Sequence, residues 1–287
     1  LIISSNEDPA GTNIRDSLLE LSKWDKIDNF SANPVYKNNN LRDVYIASID
    51  DRTIRHENLD SEFEKKLKIN LKQIIFISRH RSKTGEPTLT AHPIGNFFDA
   101  KFGGKEKTLV NSSPRLMTHL LRTINKNAKL VKTYHQVCFE VTHHGPYLNT
   151  PTLFTEVGST LDEWNKKEPA RIIAKSILEI FENYYYEEDL PKDIPVLIGI
   201  GGGHYAPRFT DMAFHKKVAF GHMIPSYHIK SGSIDLDILD KAIKATPDLY
   251  GVYIHKKSMR KSQYTEFKKC FKNKDINVIS SKDLKDL

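Results

Sequence analysis

Along the whole chain, short apolar runs alternate with amphipathic stretches, and several of the runs are apolar on consecutive positions. A strand that is apolar on both faces must be covered on both faces, so this pattern demands helices packed against a central sheet. The runs that read as strands are Leu1–Ser4, Val44–Ile49, Ile74–Ser78, Val137–Val141, Leu153–Val157, Val196–Ile200, Val252–Ile254 and Ile276–Ile279. Between them the spacing predicts helices. Thr12–Trp24 carries Leu18, Leu19 and Leu21. Ser113-Pro114 places a capping residue before a proline at the first helical position, and Leu116, Met117, Leu120, Leu121 and Ile124 follow at helical spacing. Thr160 with Glu163 forms a capping-box pattern, and Pro169 is expected to end that helix. A further helix passes through Ile172, Ile173, Ile177, Leu178 and Phe181, and Ser233–Ala245 and Ser262–Phe271 complete the set. Trp24 and Trp164 fall on helical segments. Alternation of this kind predicts an α/β fold with a mixed, mostly parallel sheet and helices on both faces. No internal repeat, low-complexity tract or long linker divides residues 1–287, which read as a single domain with a basic C-terminal portion from about residue 230.

Composition narrows the setting. No run approaches the roughly 18 apolar residues of a membrane-spanning helix. The first residues carry neither a basic region nor a signal-cleavage pattern, so a cytoplasmic location is expected. The 2 cysteines, Cys138 and Cys270, lie far apart and form no CxxC pair, which fits a reducing compartment. Cys138 sits inside an apolar run and reads as a buried small residue. The net charge of +7 is unevenly spread. Residues 251–287 hold 10 Lys/Arg against 4 Asp/Glu, and residues 65–83 hold 7 Lys/Arg with no acid. Both runs are read as contacts for a polyanion backbone. The absence of G-x-S-x-G, HExxH and the kinase motifs removes the commonest serine-hydrolase and zinc-protease readings.

The chemistry concentrates where the strands end. Ile74–Ser78 runs into Arg79-His80, and Val137–Val141 contains Glu140 and runs into Thr142-His143-His144-Gly145-Pro146. Leu153–Val157 contains Glu156 and runs into Gly158-Ser159, and Val196–Ile200 runs into Gly201-Gly202-Gly203-His204-Tyr205-Ala206-Pro207. Two further boxes surround His92, with Asn96, and His222. Strand exits built of Gly, His and Pro suit a ligand site, because ligands of open α/β sheets sit beyond the carboxyl ends of the strands. Six of the 12 histidines fall in these boxes, and histidine supplies a metal ligand or a general base near neutral pH. Glu140 and Glu156 lie inside apolar runs, so each requires a partner: a metal, a histidine or an arginine such as Arg79. If strand geometry persists, Glu140, Thr142 and His144 share one face and His143 takes the other, giving the two adjacent histidines different roles.

At these boxes the sequence resembles the archaeal and plant-type D-aminoacyl-tRNA deacylases. The matching segments are Asn33-Pro34-Val35-Tyr36, Ser78-Arg79-His80, His92 with Gly95-Asn96, Thr142 to Pro146, Glu156-Val157-Gly158-Ser159, Gly199 to Pro207, and Phe220-Gly221-His222 with Pro225. Ala91-His92-Pro93 departs from the family's pattern, which often has Thr-His followed by a small or β-branched residue. The resemblance implies a fold related to peptidyl-tRNA hydrolases and nucleoside phosphorylases, one or two zinc ions, and hydrolysis of the ester between a D-amino acid and the 3′ acceptor end of tRNA. On that basis His80, His144, His204, Glu140 and Glu156 are candidate catalytic residues. His80, His92, His143, His144, His204 and His222 are candidate zinc ligands. Arg79, Asn96, Gly201, Gly202, Gly203 and Tyr205 are candidate substrate contacts, with the glycine N–H groups available to an oxyanion or a terminal phosphate. Another enzyme of similar architecture, or a non-catalytic tRNA-binding protein, is the alternative reading.

Overall fold

The computed structural model describes residues 1–184, 190–230 and 236–287. Its strands are β1 (Ile2–Ser5), β2 (Trp24–Phe30), β3 (Asn33–Asn38), β4 (Tyr45–Ile49), β5 (Ile74–Arg81), β6 (Thr88–Pro93), β7 (Gly95–Asn96), β8 (Thr108–Leu109), β9 (Gln136–Phe139), β10 (Thr152–Ser159), β11 (Val196–Ile200), β12 (Ala219–Ile224), β13 (Leu249–Ile254) and β14 (Asn277–Val278). The α-helices are α1 (Pro9–Leu21), α2 (Leu59–Leu67), α3 (Pro114–Val131), α4 (Leu161–Trp164), α5 (Lys167–Asn183), α6 (Pro207–His215), α7 (Ser226–Lys230), α8 (Leu236–Lys244) and α9 (Lys261–Asn273). No helix among the described residues is long and apolar enough to cross a membrane.

The expected mixed, mostly parallel α/β architecture is present, but it is divided between two main sheets. The larger has 8 strands in the order β2-β3-β4-β1-β5-β10-β6-β9. The smaller has 4 strands in the order β12-β11-β13-β14, and all of its pairs are parallel. The chain leaving β9 joins the two, because Val141 N–H donates to the His204 carbonyl (2.9 Å) and Thr142 N–H to the Met223 carbonyl (3.0 Å). The basic C-terminal residues form β13, α9 and β14, one edge of the smaller sheet.

Period-two alternation sorts the central strands onto two faces. Ile2, Ile46, Ile75, Ile77 and Leu153 enter one core with α1, α3 and α5, while Ile3, Ala47, Ile74, Phe76 and Phe154 enter another with Leu59 and Phe63 of α2. Helices therefore cover both faces, as the consecutive apolar runs required. Each fully buried Ile, Leu or Phe contributes roughly 1.5–3 kcal/mol through water removal.

Several elements differ from expectation. Helix α1 ends at Leu21, and Trp24 opens β2, its indole N–H donating back to the Leu18 carbonyl (2.8 Å). The β2–β3 hairpin, β6 and β12 escaped notice because polar or glycine-rich letters mask their alternation. Pro169 does not end a helix but sits in the first turn of α5, where its missing N–H has no helical partner to lose. The Ser233 start of a predicted helix lies outside the described residues, and the described helix begins at Leu236. The basic run 65–83 is not one patch. Lys65, Lys66, Lys68 and Lys72 precede β5, Lys66 is paired with Asp28 (3.2 Å), and Arg79–Lys83 lie at the opposite end, about 20 Å of strand away.

Candidate active site

Register brings the site together. In the larger sheet Glu156 lies beside Ser78 on β5 and Thr90 on β6, Gly158 lies beside His80, and Phe154 beside His92. Alternation then places His80, Glu156 and His92 on the same face as Phe76 and Phe154. Glu140 follows β9 in register beside His92, its N–H donating to the Ala91 carbonyl (3.0 Å). Gly158 is required here: a Cβ on it would stand 2.3 Å from Thr88 Oγ1 and 3.1 Å from His80 Cδ2, so only glycine leaves room for the His80 ring. Glu156 thus lies on the sheet face within β10 and Glu140 directly after β9, both buried in a low-dielectric setting.

Glu140, fully buried, is the hub. Its Oε2 lies 2.9 Å from His204 Nε2, 3.1 Å from His80 Nδ1 and 3.5 Å from His143 Nε2. Glu156 Oε2 lies 3.5 Å from His80 Nδ1 and 3.7 Å from His92 Nε2. His80 Nε2 reaches the Tyr205 hydroxyl at 3.1 Å. Burial disfavours a charge on His80, but the two carboxylates outweigh it and raise its pKa to about 11. The same competition, burial against the facing histidines, leaves both Glu140 and Glu156 with lowered pKa values. His80 is therefore an imidazolium held between two carboxylates.

His92, His143 and His144 form a second group. Their ring centroids lie 4.2 Å (His92–His143), 4.4 Å (His143–His144) and 4.9 Å (His92–His144) apart, over the Phe154 ring. In each, Nδ1 faces a backbone carbonyl: Pro93 at 3.1 Å, Val141 at 2.7 Å and Gly145 at 2.8 Å. A carbonyl only accepts, so Nδ1 carries a proton in each, and Nε2 is the atom left to face a metal. Burial and the neighbouring imidazoles keep His143 and His144 neutral, His144 with a pKa lowered to about 4, whereas for His92 the carboxylates of Glu156 and Glu140 outweigh burial and raise the pKa. The strand geometry expected to separate these two histidines does not persist. The chain leaves β9 at Phe139 and turns at His144 in the left-handed region (φ 46°), which swings both rings to one side while Thr142 takes the other.

The ligand atoms of His92, His143 and His144, of His80, Glu140 and His204, and of His92, Glu140 and Glu156 each fall within 4.8 Å of one another. His92 Nε2 and Glu140 Oε1 are buried with no hydrogen-bond partner. A lone pair on His143 Nε2 faces Glu140 at 3.5 Å, and His92 Nε2 lies 3.7 Å from Glu156. Acceptors facing acceptors in a buried site are what an intervening cation relieves, so this donor set fits a metal.

Other candidates fall outside the cluster. His222 is fully buried with both ring nitrogens engaged, by Thr142 Oγ1 (3.1 Å) and the Val110 carbonyl (3.0 Å). It has no lone pair to offer a metal and instead pins β12 to the chain after β9. His222→Ala strips the partner from Val110 and Thr142 and is expected to lower the unfolding free energy by about 1–3 kcal/mol. Unchanged denaturant stability would return His222 to the candidate ligands. Arg79 points to the other face of β5, donating to the Glu7 carbonyl (3.2 Å) and lying 5.3 Å from the Trp164 ring. Asn96 clamps a loop by donating to the Gly103 carbonyl (2.8 Å). Gly201 N–H is taken by the Ile224 carbonyl and Gly202 N–H by Ser226 Oγ, which withdraws both as oxyanion donors. Phe154, the floor beneath the histidines, carried no sequence signal, since a phenylalanine in an apolar run reads as core.

Known proteins match this chain over most of its length. The family model described as D-aminoacyl-tRNA deacylase matches residues 67–279. The D-aminoacyl-tRNA deacylase of Pyrococcus abyssi is 37% identical over 245 residues, 85% of either chain. That of Archaeoglobus fulgidus is 31% identical over 286 residues, 99% of this chain and 97% of its own. A crystal structure of a conserved protein of unknown function superimposes with a TM-score of 0.87 at 30% identity, covering 99% of this chain and 95% of that one. The histidine and carboxylate boxes, the fold and the similarity over nearly the whole length agree, and the chain belongs to the D-aminoacyl-tRNA deacylase family.

Proposed function

We infer that this chain hydrolyses the ester bond of D-aminoacyl-tRNA, releasing the free D-amino acid and tRNA, and that its buried His/Glu cluster performs the reaction. Family membership over most of the chain supports the activity. The observation that carries the site is the convergence of His80, His204 and His143 on the single Glu140 oxygen. No observation favours a nucleoside phosphorylase, a peptidyl-tRNA hydrolase or a non-catalytic binder.

His92, His143 and His144 would hold zinc through Nε2, with Glu140 and Glu156 beside it. A zinc ion bound there supplies a water of pKa near about 7 and polarisation of the ester carbonyl. The remaining parts belong to the chain. Glu140 is a weak base because its pKa is depressed; its role is to fix its partners. By accepting from His204 Nε2–H it leaves Nδ1 as the acceptor on a side chain 35% exposed. His204 Nδ1 takes the proton of the attacking water and returns it to the leaving ribose oxygen. His80 donates Nε2–H to Tyr205, whose own O–H is then free to donate to the oxygen that gains charge in the tetrahedral intermediate.

The direct test is deacylation of D-Tyr-tRNA against L-Tyr-tRNA. Turnover of the D-ester alone is expected. Equal turnover of both would remove the stereochemical assignment, and turnover of neither would remove the function.

A further inference from the structure

The smaller sheet has its own ligand-binding geometry. β11 is its first strand in sequence; it leads through α6 to β12 on one side, whereas β13, on its other side, leads through α9 to β14. The connections diverge between β11 and β13, and in open parallel sheets the crevice at such a switch point, outside the carboxyl ends of the strands, is where ligands sit. A cleft of about 760 Å³ opens there, lined among others by Gly203, Tyr227, His255, Lys257 and Arg260. That volume suits a nucleotide-sized ligand. Among the described residues its lining holds two cations and no carboxylate. The loops that frame it are stitched together: Gly202 N–H donates to Ser226 Oγ (2.7 Å), Ser226 Oγ–H to the Ser258 carbonyl (3.3 Å), and Ser258 Oγ–H to the His255 carbonyl (2.7 Å). A Cβ on Gly203 would meet nothing within 4 Å, so the backbone at the mouth is open to a ligand.

The cleft adjoins the reactive cluster. His204 follows Gly203 directly, and Tyr227, 48% exposed, lines the cleft. An exposed aromatic face beside two flexible cations is the combination that holds a single-stranded nucleotide, stacking for the base and charge for the phosphate. We propose that this cleft seats the 3′-terminal adenosine of the aminoacylated tRNA, with the base against Tyr227 and its 5′-phosphate between Lys257 and Arg260. The proposal rests on the deacylase reading and adds to it the subsite that delivers the ester to His204.

Tyr227→Ala and the double variant Lys257→Ala/Arg260→Ala test it, since all three side chains are exposed and their loss leaves the core intact. Each variant is expected to raise KM for D-Tyr-tRNA about tenfold or more with kcat within about twofold. The double variant should also flatten the logarithmic salt dependence of tRNA binding by about two units. AMP is expected to bind the wild-type protein in calorimetry and to compete with D-Tyr-tRNA, and to bind either variant about tenfold more weakly. Unchanged KM in both variants, or AMP binding that neither variant weakens, overturns the proposal. A wild-type chain inert toward D-Tyr-tRNA sinks the functional reading instead, and the loss of AMP binding in the variants then still establishes the cleft as a nucleotide site.

Discussion

Glu140→Gln is expected to lower kcat/KM for D-Tyr-tRNA by about 10²–10⁴-fold, with little change in the folded structure. The amide has the volume of the carboxylate, so packing is preserved. What is lost is the charge to which His80 and His204 both point, at 3.1 and 2.9 Å. His80 keeps only the more distant Glu156, its preference for the imidazolium weakens, and the donor chain through Tyr205 weakens with it. His204 exchanges a charged acceptor for at best a neutral amide oxygen, which holds its tautomer more weakly. Glu163→Gln is the control. That carboxylate is also buried, but it serves Tyr134, His135 and Lys166 at the surface of α4. It should change turnover little. Steady-state kinetics on both variants decides the matter: a Glu140→Gln rate within about tenfold of wild type would show that Glu140 is a structural partner only.

Removal of metal is expected to abolish turnover, and zinc to restore it. The physical ground is the set of Nε2 atoms of His92, His143 and His144, each turned to the site by an Nδ1–H donated to the backbone, with no hydrogen-bond partner for the buried His92 Nε2. A ligand that binds the folded state alone, at 100 times its dissociation constant, stabilises by about 2.7 kcal/mol. Zinc should therefore raise the melting temperature of the chelated protein by about 5 °C or more, independently of any activity assay. His92→Ala and His144→Ala should each remove most of that rise. Full turnover after exhaustive chelation, with no thermal response to zinc, would move the chemistry to His80, His204 and Glu140 alone.

Much of the architecture was legible because it depends on local letters. The largely apolar runs Ile74–Ser78 and Val196–Ile200 read as strands covered on both faces, and β5 and β11 begin where those runs begin. Helix α3 was announced by Ser113-Pro114, and its apolar stripe was regular. Elements whose alternation is interrupted by function were missed: β6 contains Thr90 and His92, and β12 contains Gly221 and His222, residues chosen for contacts on their two sides rather than for strand pattern. Trp24 was misplaced for a related reason, since a large aromatic after a leucine-rich helix continues the helical spacing until Ser22 breaks it.

The sequence by itself determined which residue types the site contains: histidines at strand exits, two carboxylates inside apolar runs and glycines where rings come close, as Gly158 does beside His80. It could not determine which of them meet, because contact between residues as distant in sequence as His80, Glu140 and His204 is set by strand order and register. Only the tertiary structure decided that the rings of His143 and His144 lie together, through the left-handed turn at His144. It also decided that His222 is spent on Thr142 and Val110, and that Arg79 belongs to the opposite face. The chain order of a motif fixes chemistry, whereas the hydrogen-bond partner of each ring nitrogen fixes role, and those partners come from segments that the sequence keeps far apart.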